Sequence, residues 1–192
     1  MLKRFASVFE QTYTRFLDLQ KAEAQAREAK IEASLERVRS KAMSMQSSED
    51  LALTIDHFFH ELKSLNIKPI RCGVGIKDGD SRTVDVTVTS ATKNGEDIKL
   101  TGKLTLGGHP ILDKVYEALQ LQAEYFPVLR REEISEYYQA MNPDIEFPNF
   151  SENDVQYGYY FHYEEGGVFA WTEKNYWKKR LTFSANLSQY LV

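Results

Sequence analysis

The first forty-six residues contain neither proline nor glycine, so nothing in Met1–Gln46 forces a break in a helix. Cysteine is almost missing as well. Cys72 stands alone in 192 residues, which excludes an internal disulfide and fits a reducing compartment. There is no surplus of positive charge: the formal net charge is -4, the wrong sign for a surface dedicated to nucleic acid. No stretch approaches the roughly 20 consecutive apolar residues that a spanning helix needs. The opening Met1-Leu2-Lys3-Arg4-Phe5 does not run on into the apolar core of a secretory signal. The expectation is a soluble, cytoplasmic protein without nucleic-acid or membrane partners.

What is present divides into two regimes. Up to Gln46 the chain is rich in Ala, Glu, Gln, Lys and Arg, all good helix formers. Leu17, Ala24, Ile31, Val38 and Met45 are spaced seven apart, and Leu35 and Ala42 fill the intervening positions. An earlier frame, Leu2, Phe9 and Phe16 with Phe5 and Leu19 between, is offset by one residue, a phase shift within a heptad pattern. Glu23 and Arg27 add an i,i+4 pair worth roughly 0.2–0.5 kcal/mol. So narrow a stripe wants a partner helix, most simply from a second copy of the chain, and Leu17, Ala24, Ile31, Leu35, Val38, Ala42 and Met45 form the expected dimer seam. The alternative is one long helix packed on its own domain. Alanines at 24, 26, 29 and 33 keep the seam thin, which suits a helix that transmits a signal by shifting.

From Ser47 onward the pattern is mixed. Ser47-Ser48-Glu49-Asp50 reads as a helix start, and Leu51, Ile55, Phe58, Leu62 and Leu65 form one buried face over about 49–65. Alternating runs follow: Ile70, Cys72, Val74 and Ile76, then Val84, Val86 and Val88, then Ile98, Leu100, Leu104 and Leu106. Asp78-Gly79-Asp80 and Asn94-Gly95 are the turns between them. Helices are predicted near 110–124 and 131–141. Tyr157, Tyr159, Phe161 and Tyr163 then alternate, and Glu164-Glu165-Gly166-Gly167 turns into Val168–Thr172. Helix, three antiparallel strands, two helices and two strands indicate an α+β fold, an antiparallel sheet flanked by helices in the manner of PAS and GAF sensors, preceded by a long coiled-coil helix. The predicted organisation is a linker helix over 1–46, a sensor domain over 47–175 and an atypical segment over 176–192.

Two phrases carry a family resemblance. Phe9-Glu10-Gln11-Thr12-Tyr13-Thr14-Arg15-Phe16-Leu17-Asp18-Leu19-Gln20-Lys21-Ala22-Glu23-Ala24-Gln25-Ala26-Arg27-Glu28-Ala29 and Ile31-Glu32-Ala33-Ser34-Leu35-Glu36-Arg37-Val38-Arg39-Ser40-Lys41-Ala42-Met43 resemble the helix linking tandem GAF-like domains in Bacteroidetes-type multidomain sensor histidine kinases. Arg71-Cys72-Gly73-Val74 and Gly108-His109-Pro110 extend the likeness into the body, so that it covers roughly residues 1–175. The resemblance implies a non-catalytic sensory module, dimeric through its first helix, that relays a signal to an effector outside this chain. Residues 176–192 depart from the closing helix that such a domain has, so the chain is expected to be a fragment with an abnormal ending.

Several residues invite a chemical reading. His60-Glu61-Leu62-Lys63-Ser64-Leu65 resembles a phospho-acceptor box, but Leu65 replaces its proline and no ATP-binding motif accompanies it. His57 and His60 are three apart on a helix and lack a placed third ligand, so no metal is expected. Cys72 in an alternating strand is ordinarily a small buried hydrophobe. Gly107-Gly108-His109-Pro110 offers amides at a helix start but has neither the spacing nor the lysine of a phosphate loop. Tyr157, Tyr159, Phe161, Trp171 and Cys72 are the candidate lining of a small-molecule pocket, an ordinary sheet face being the alternative. No cofactor motif is present. Three functions stay open: a ligand-responsive relay (including the ligand-binding domain of a transcription regulator), a dimerisation spacer without ligand, and a small enzyme using carboxylates such as Asp85 or Glu96.

Overall fold

The computed structural model describes residues 1–79, 81–92, 97–141 and 155–176. The chain opens with helix α1 (Leu2–Met43), continues into α2 (Ser48–Ser64), and then lays down strands β1 (Pro69–Lys77), β2 (Thr83–Ala91) and β3 (Asp97–Thr105). Helix α3 (Pro110–Gln120), a short β4 (Val128–Arg130) and α4 (Glu132–Met141) precede the hairpin of β5 (Val155–Tyr163) and β6 (Gly166–Thr172). The six strands form one open sheet in the order β3-β2-β1-β6-β5-β4, antiparallel at every pairing. This is the α+β architecture expected from the alternating runs.

Local chemistry sets the joints. Helix α1 runs 42 residues because nothing in it interrupts the hydrogen-bond ladder. Between α1 and α2, Ser47 caps the new helix: its hydroxyl accepts from the Asp50 amide while the Asp50 carboxylate accepts from the Ser47 and Gln46 amides. Those amide bonds hold the Asp50 carboxyl below its usual range. Asn66, at φ 58, makes the left-handed step that turns α2 into β1. His109 caps α3 through Nδ1, which accepts from the Ile111 amide, and Pro110 occupies the first turn, where a missing N–H is harmless.

The sheet is buried on both faces, with a separate core on each. Helices α1 and α2 cover one face, where Leu35, Val38, Ile55, Phe58, Phe59 and Leu62 meet Cys72, Val74, Tyr159 and Val168. Against the other, α3 and α4 bring Leu112, Val115, Leu119, Tyr137 and Met141 onto Val84, Val86, Val88, Leu104, Tyr160 and Trp171.

Two local expectations need correction, and one short strand was not anticipated. Ile70 does not share a face with Cys72 and Val74: a register shift between Pro69 and Arg71 puts it in the α3–α4 core. Helix α3 stops at Gln120, and Tyr125 instead pairs with Tyr160 in an isolated bridge. The three-residue β4 was too short to leave a periodic signal. Asn94-Gly95 and Asp80 lie outside the described residues.

Phe59 is fully buried between α2 and the sheet. Phe59→Ala is expected to cost about 3–5 kcal/mol, because the cavity left behind cannot fully collapse. Urea unfolding checks this, with a lower midpoint and an unchanged slope as the expected result.

Candidate functional site

Between the sheet and the α3–α4 pair lies a cavity of about 50 Å³. Its walls are mostly aliphatic: Val84, Val86 and Val88 from β2, Leu104 and Leu106 at β3, Leu112, Val115 and Leu119 from α3, and Met141 from α4. Polarity enters at Arg71, Tyr137, Tyr160 and His162. Arg71 is the unusual member. It is 2% exposed in the middle of the sheet, next to the central β1–β6 pairing.

Aromatic rings surround that charge. The Arg71 guanidinium lies 4.8, 5.1 and 5.5 Å from the ring centres of Tyr138, Trp171 and Tyr137. Contacts of this kind, taken out of water, are worth about 2 kcal/mol or more each. Arg71 Nη1 also donates to the Tyr138 hydroxyl, which in turn donates to Gln156 Oε1 at 3.3 Å. A second chain of hydroxyls runs beside it. Trp171 Nε1 donates to Tyr160 Oη at 3.0 Å, and Tyr160 and Tyr137 share a bond of the same length. Burial pushes both the Tyr137 and the Tyr160 phenols above their ordinary range, so they work as neutral donors and acceptors.

His162 closes the site from β5. Its Nδ1 lies 2.6 Å from the Ala123 carbonyl, which requires the proton on Nδ1 and leaves Nε2 with the lone pair. Burial lowers its pKa, so the ring is neutral at pH 7. Tyr160 stacks between His162 and Phe169 at centroid distances of 6.0 and 5.6 Å. Beneath the cavity, Gly73 has no room for a side chain: a Cβ there would come within 2.4 Å of the Thr87 carbonyl. Gly75 differs, since its added Cβ would meet Val86 at an ordinary 3.6 Å.

The residues singled out by pattern fall elsewhere. Tyr157, Tyr159, Phe161 and Cys72 share a face, as their alternation predicted, but it is the face under α1 and α2 rather than the one that carries the cavity. Tyr159 is buried there, and its hydroxyl accepts from the Tyr176 amide. Trp171 belongs to the opposite core, behind the cavity wall. Cys72 is completely buried, and burial pushes its thiol well up, away from reactivity. The pattern reading missed Arg71, Tyr160 and His162. One signal was available: an arginine between Ile70 and Cys72, in a strand whose other side chains are nearly all apolar.

The seam residues also separate. Residues 1–30 are exposed, including Leu17 and Ala24 of the seam and the large apolar side chains of Leu2, Phe5, Phe9 and Phe16. Ile31 is half-buried, while Leu35, Val38 and Ala42 are buried against the chain's own body. Met45 lies beyond the end of α1 and is half-buried. Polar contacts fasten the buried part. Arg37 grips the Glu61 carboxylate with Nε and Nη2, each at 2.7 Å, and Nη2 reaches Ser34 Oγ at 2.9 Å. Lys30 donates to the Ser64 carbonyl at 2.5 Å.

The remaining histidines have structural partners. His57 Nε2 is 3.7 Å from Glu61 Oε1, and His60 lies between Asp56 and Asp97 at 3.8 and 3.6 Å. Burial lowers His109, whose ring packs edge-on against Tyr137. Asp85 is exposed beside Lys103 at 3.4 Å, and Glu96 lies outside the described residues. Among the described residues, no three His, Cys, Asp or Glu side chains converge as metal ligands, and no helix is long and apolar enough to cross a membrane. No protein-family model, no curated protein and no solved structure matches the chain.

Two outcomes follow from these contacts. Tyr160→Phe strands the buried Trp171 N–H, and a loss of about 1–3 kcal/mol is expected in chemical denaturation. The Glu61 carboxyl, held down to about 2 chiefly by the Arg37 hydrogen bonds, titrates well below its ordinary 4.5. A depressed carboxylate contributes stability above its unfolded pKa and loses it as pH falls through the folded one. Glu61→Gln is therefore expected to destabilise the protein at pH 7, with the difference from wild type shrinking between about pH 4.5 and 2. Melting curves across that range would show a constant difference if the pairing contributed nothing.

Proposed function

We propose that the protein is a ligand-responsive regulatory module, in which occupancy of the α3–α4 cavity is passed through the sheet to α1. One observation carries this reading. The cavity and the base of α1 lie on opposite faces of a single sheet layer, and β1 serves both: Arg71 and Gly75 line the cavity while Cys72 and Val74 support α2. A ligand that prefers one sheet geometry shifts α2 and α1 by the difference in its affinity for the two states.

The exposed part of α1 supplies the output. Leu2, Phe5, Phe9, Phe16 and Leu19 repeat along one stripe and are at least half exposed. Isolated helices are marginal in water, and this stripe gains stability by packing on a second copy as a parallel coiled coil. The layout agrees with the resemblance to GAF-like sensors that precede a histidine kinase, and the effector is accordingly a separate domain. A ligand-free spacer would need neither a cavity nor a buried cation beside it.

Sedimentation velocity tests the assembly. The full chain is expected to be a dimer at micromolar concentration, and Phe9→Glu with Phe16→Glu is expected to yield a folded monomer. A wild-type monomer, or a double variant that stays dimeric, would sink the relay through α1.

A further inference from the structure

We infer that the cavity takes a small uncharged apolar molecule, about the size of propane, held by dispersion against the aliphatic walls. This rests on the reading of the cavity as a sensory site and adds the chemical class of what it senses.

Volume bounds the ligand first. An apolar cavity of about 150 Å³ accepts benzene. At about 50 Å³ this one has a third of that space, room for roughly two or three carbons. Sites for nucleotides and drug-sized molecules run to roughly 300–1,000 Å³, so cyclic nucleotides do not fit.

The walls decide the chemistry. Val84, Val86, Leu104, Leu112, Val115 and Leu119 offer dispersion contacts and no hydrogen bonds. The polar members are engaged within the protein. Tyr137 and Tyr160 share a bond between their hydroxyls, and Tyr160 also takes the Trp171 N–H. Arg71 is enclosed by three rings and donates to the Tyr138 hydroxyl, so its charge is already held. His162 is neutral, with its Nδ1 proton on the Ala123 carbonyl. A water molecule needs about two to four polar partners, and an ion loses still more on leaving water; aliphatic walls repay neither. An apolar molecule gives up no hydrogen bond on entering and gains contacts denser than water provides.

Gly75 is an independent sign that the space is kept open. Its φ is not positive, and an added Cβ would meet Val86 and Val84 at 3.6 and 3.7 Å. Neither backbone conformation nor crowding therefore demands glycine there. Gly73, two residues earlier, is compelled by the Thr87 carbonyl, which an added Cβ would approach to 2.4 Å. Glycine inside a strand is destabilising relative to alanine. At position 75 that loss leaves open a part of the cavity that a methyl group would fill.

Methyl NMR on the full chain, with propane, benzene and propionate as probes, is the test. Propane is expected to shift the methyls of Val84, Val86 and Leu104 saturably, roughly in the millimolar range set by its few atoms. Propionate and benzene are each expected to bind at least about tenfold more weakly, one for its charge and the other for its size. Gly75→Ala is expected to keep the fold and weaken propane about tenfold or more. If that variant fails to fold, Val86→Ala serves, because removing wall methyls is expected to narrow or reverse the preference for propane over benzene.

Propionate binding as tightly as propane would overturn the uncharged class, and benzene doing so would overturn the size limit. Shifts that fail to saturate, or that are equal at the exposed Leu17, would reduce the effect to partitioning and overturn the site. Propane bound equally well by a folded Gly75→Ala, or an unchanged preference in Val86→Ala, would overturn its placement in the cavity. Whether occupancy reaches α1 is read separately, from the methyls of Leu35 and Val38. Saturable shifts in β2 with none at those two residues would support the ligand and sink the relay. No shift anywhere would overturn the ligand class, while the dimer stands or falls by sedimentation.

Discussion

The structure depends on β1 being covered on both sides. A strand in the middle of an open sheet, next to β2 on one flank and β6 on the other, is inaccessible to water wherever helices cover both faces. Everything attached to its alternate side chains is then mechanically joined across one backbone thickness. Cys72 and Val74 bear on α2; Arg71, one residue away, bears on three aromatic rings. Close-packed interiors transmit displacement because they hold little free volume to absorb it. A cavity kept open beside such a strand is an exception to that packing, and its position next to a buried guanidinium is the reason to attach a function to it.

Burial of Arg71 shows how the interior tolerates a charge. Desolvation of a cation is expensive, and the rings of Tyr137, Tyr138 and Trp171 return part of that cost through their quadrupoles. The hydroxyls of the same tyrosines supply acceptors without adding formal charge. At the α1–α2 contact a buried carboxylate is held by an ion pair. Glu61 is buried, but Arg37 is half in solvent, so the pair is compensated by geometry on one side and by water on the other.

Much of the fold could be read from residue spacing. The uninterrupted α1, the Ser47 start of α2, the four-three face of Leu51, Ile55, Phe58 and Leu62, and the alternation in β2 and β5 all follow from periodicity acting on side chains that must choose one side. The candidate site was not legible in the same way. β5 is aromatic in both registers: Tyr157, Tyr159 and Phe161 on one face, Tyr160 and His162 on the other. Period-two alternation says which residues belong together but not which group meets a cavity, and only the packing of distant helices decides that. The seam had a related ambiguity. Leu35 and Val38 satisfy a heptad and satisfy α2 equally well, and an intramolecular partner at high effective concentration takes them first.

The exposed part of α1 also has a mechanical consequence. Thirty residues at about 1.5 Å each give a lever of roughly 45 Å, pivoting where Ile31 first meets the body. A tilt of about 5° at that fulcrum sweeps the far end through about 4 Å, roughly three-quarters of the rise of one helical turn. Leu2 would therefore move several ångströms for any tilt of that size at the helix base.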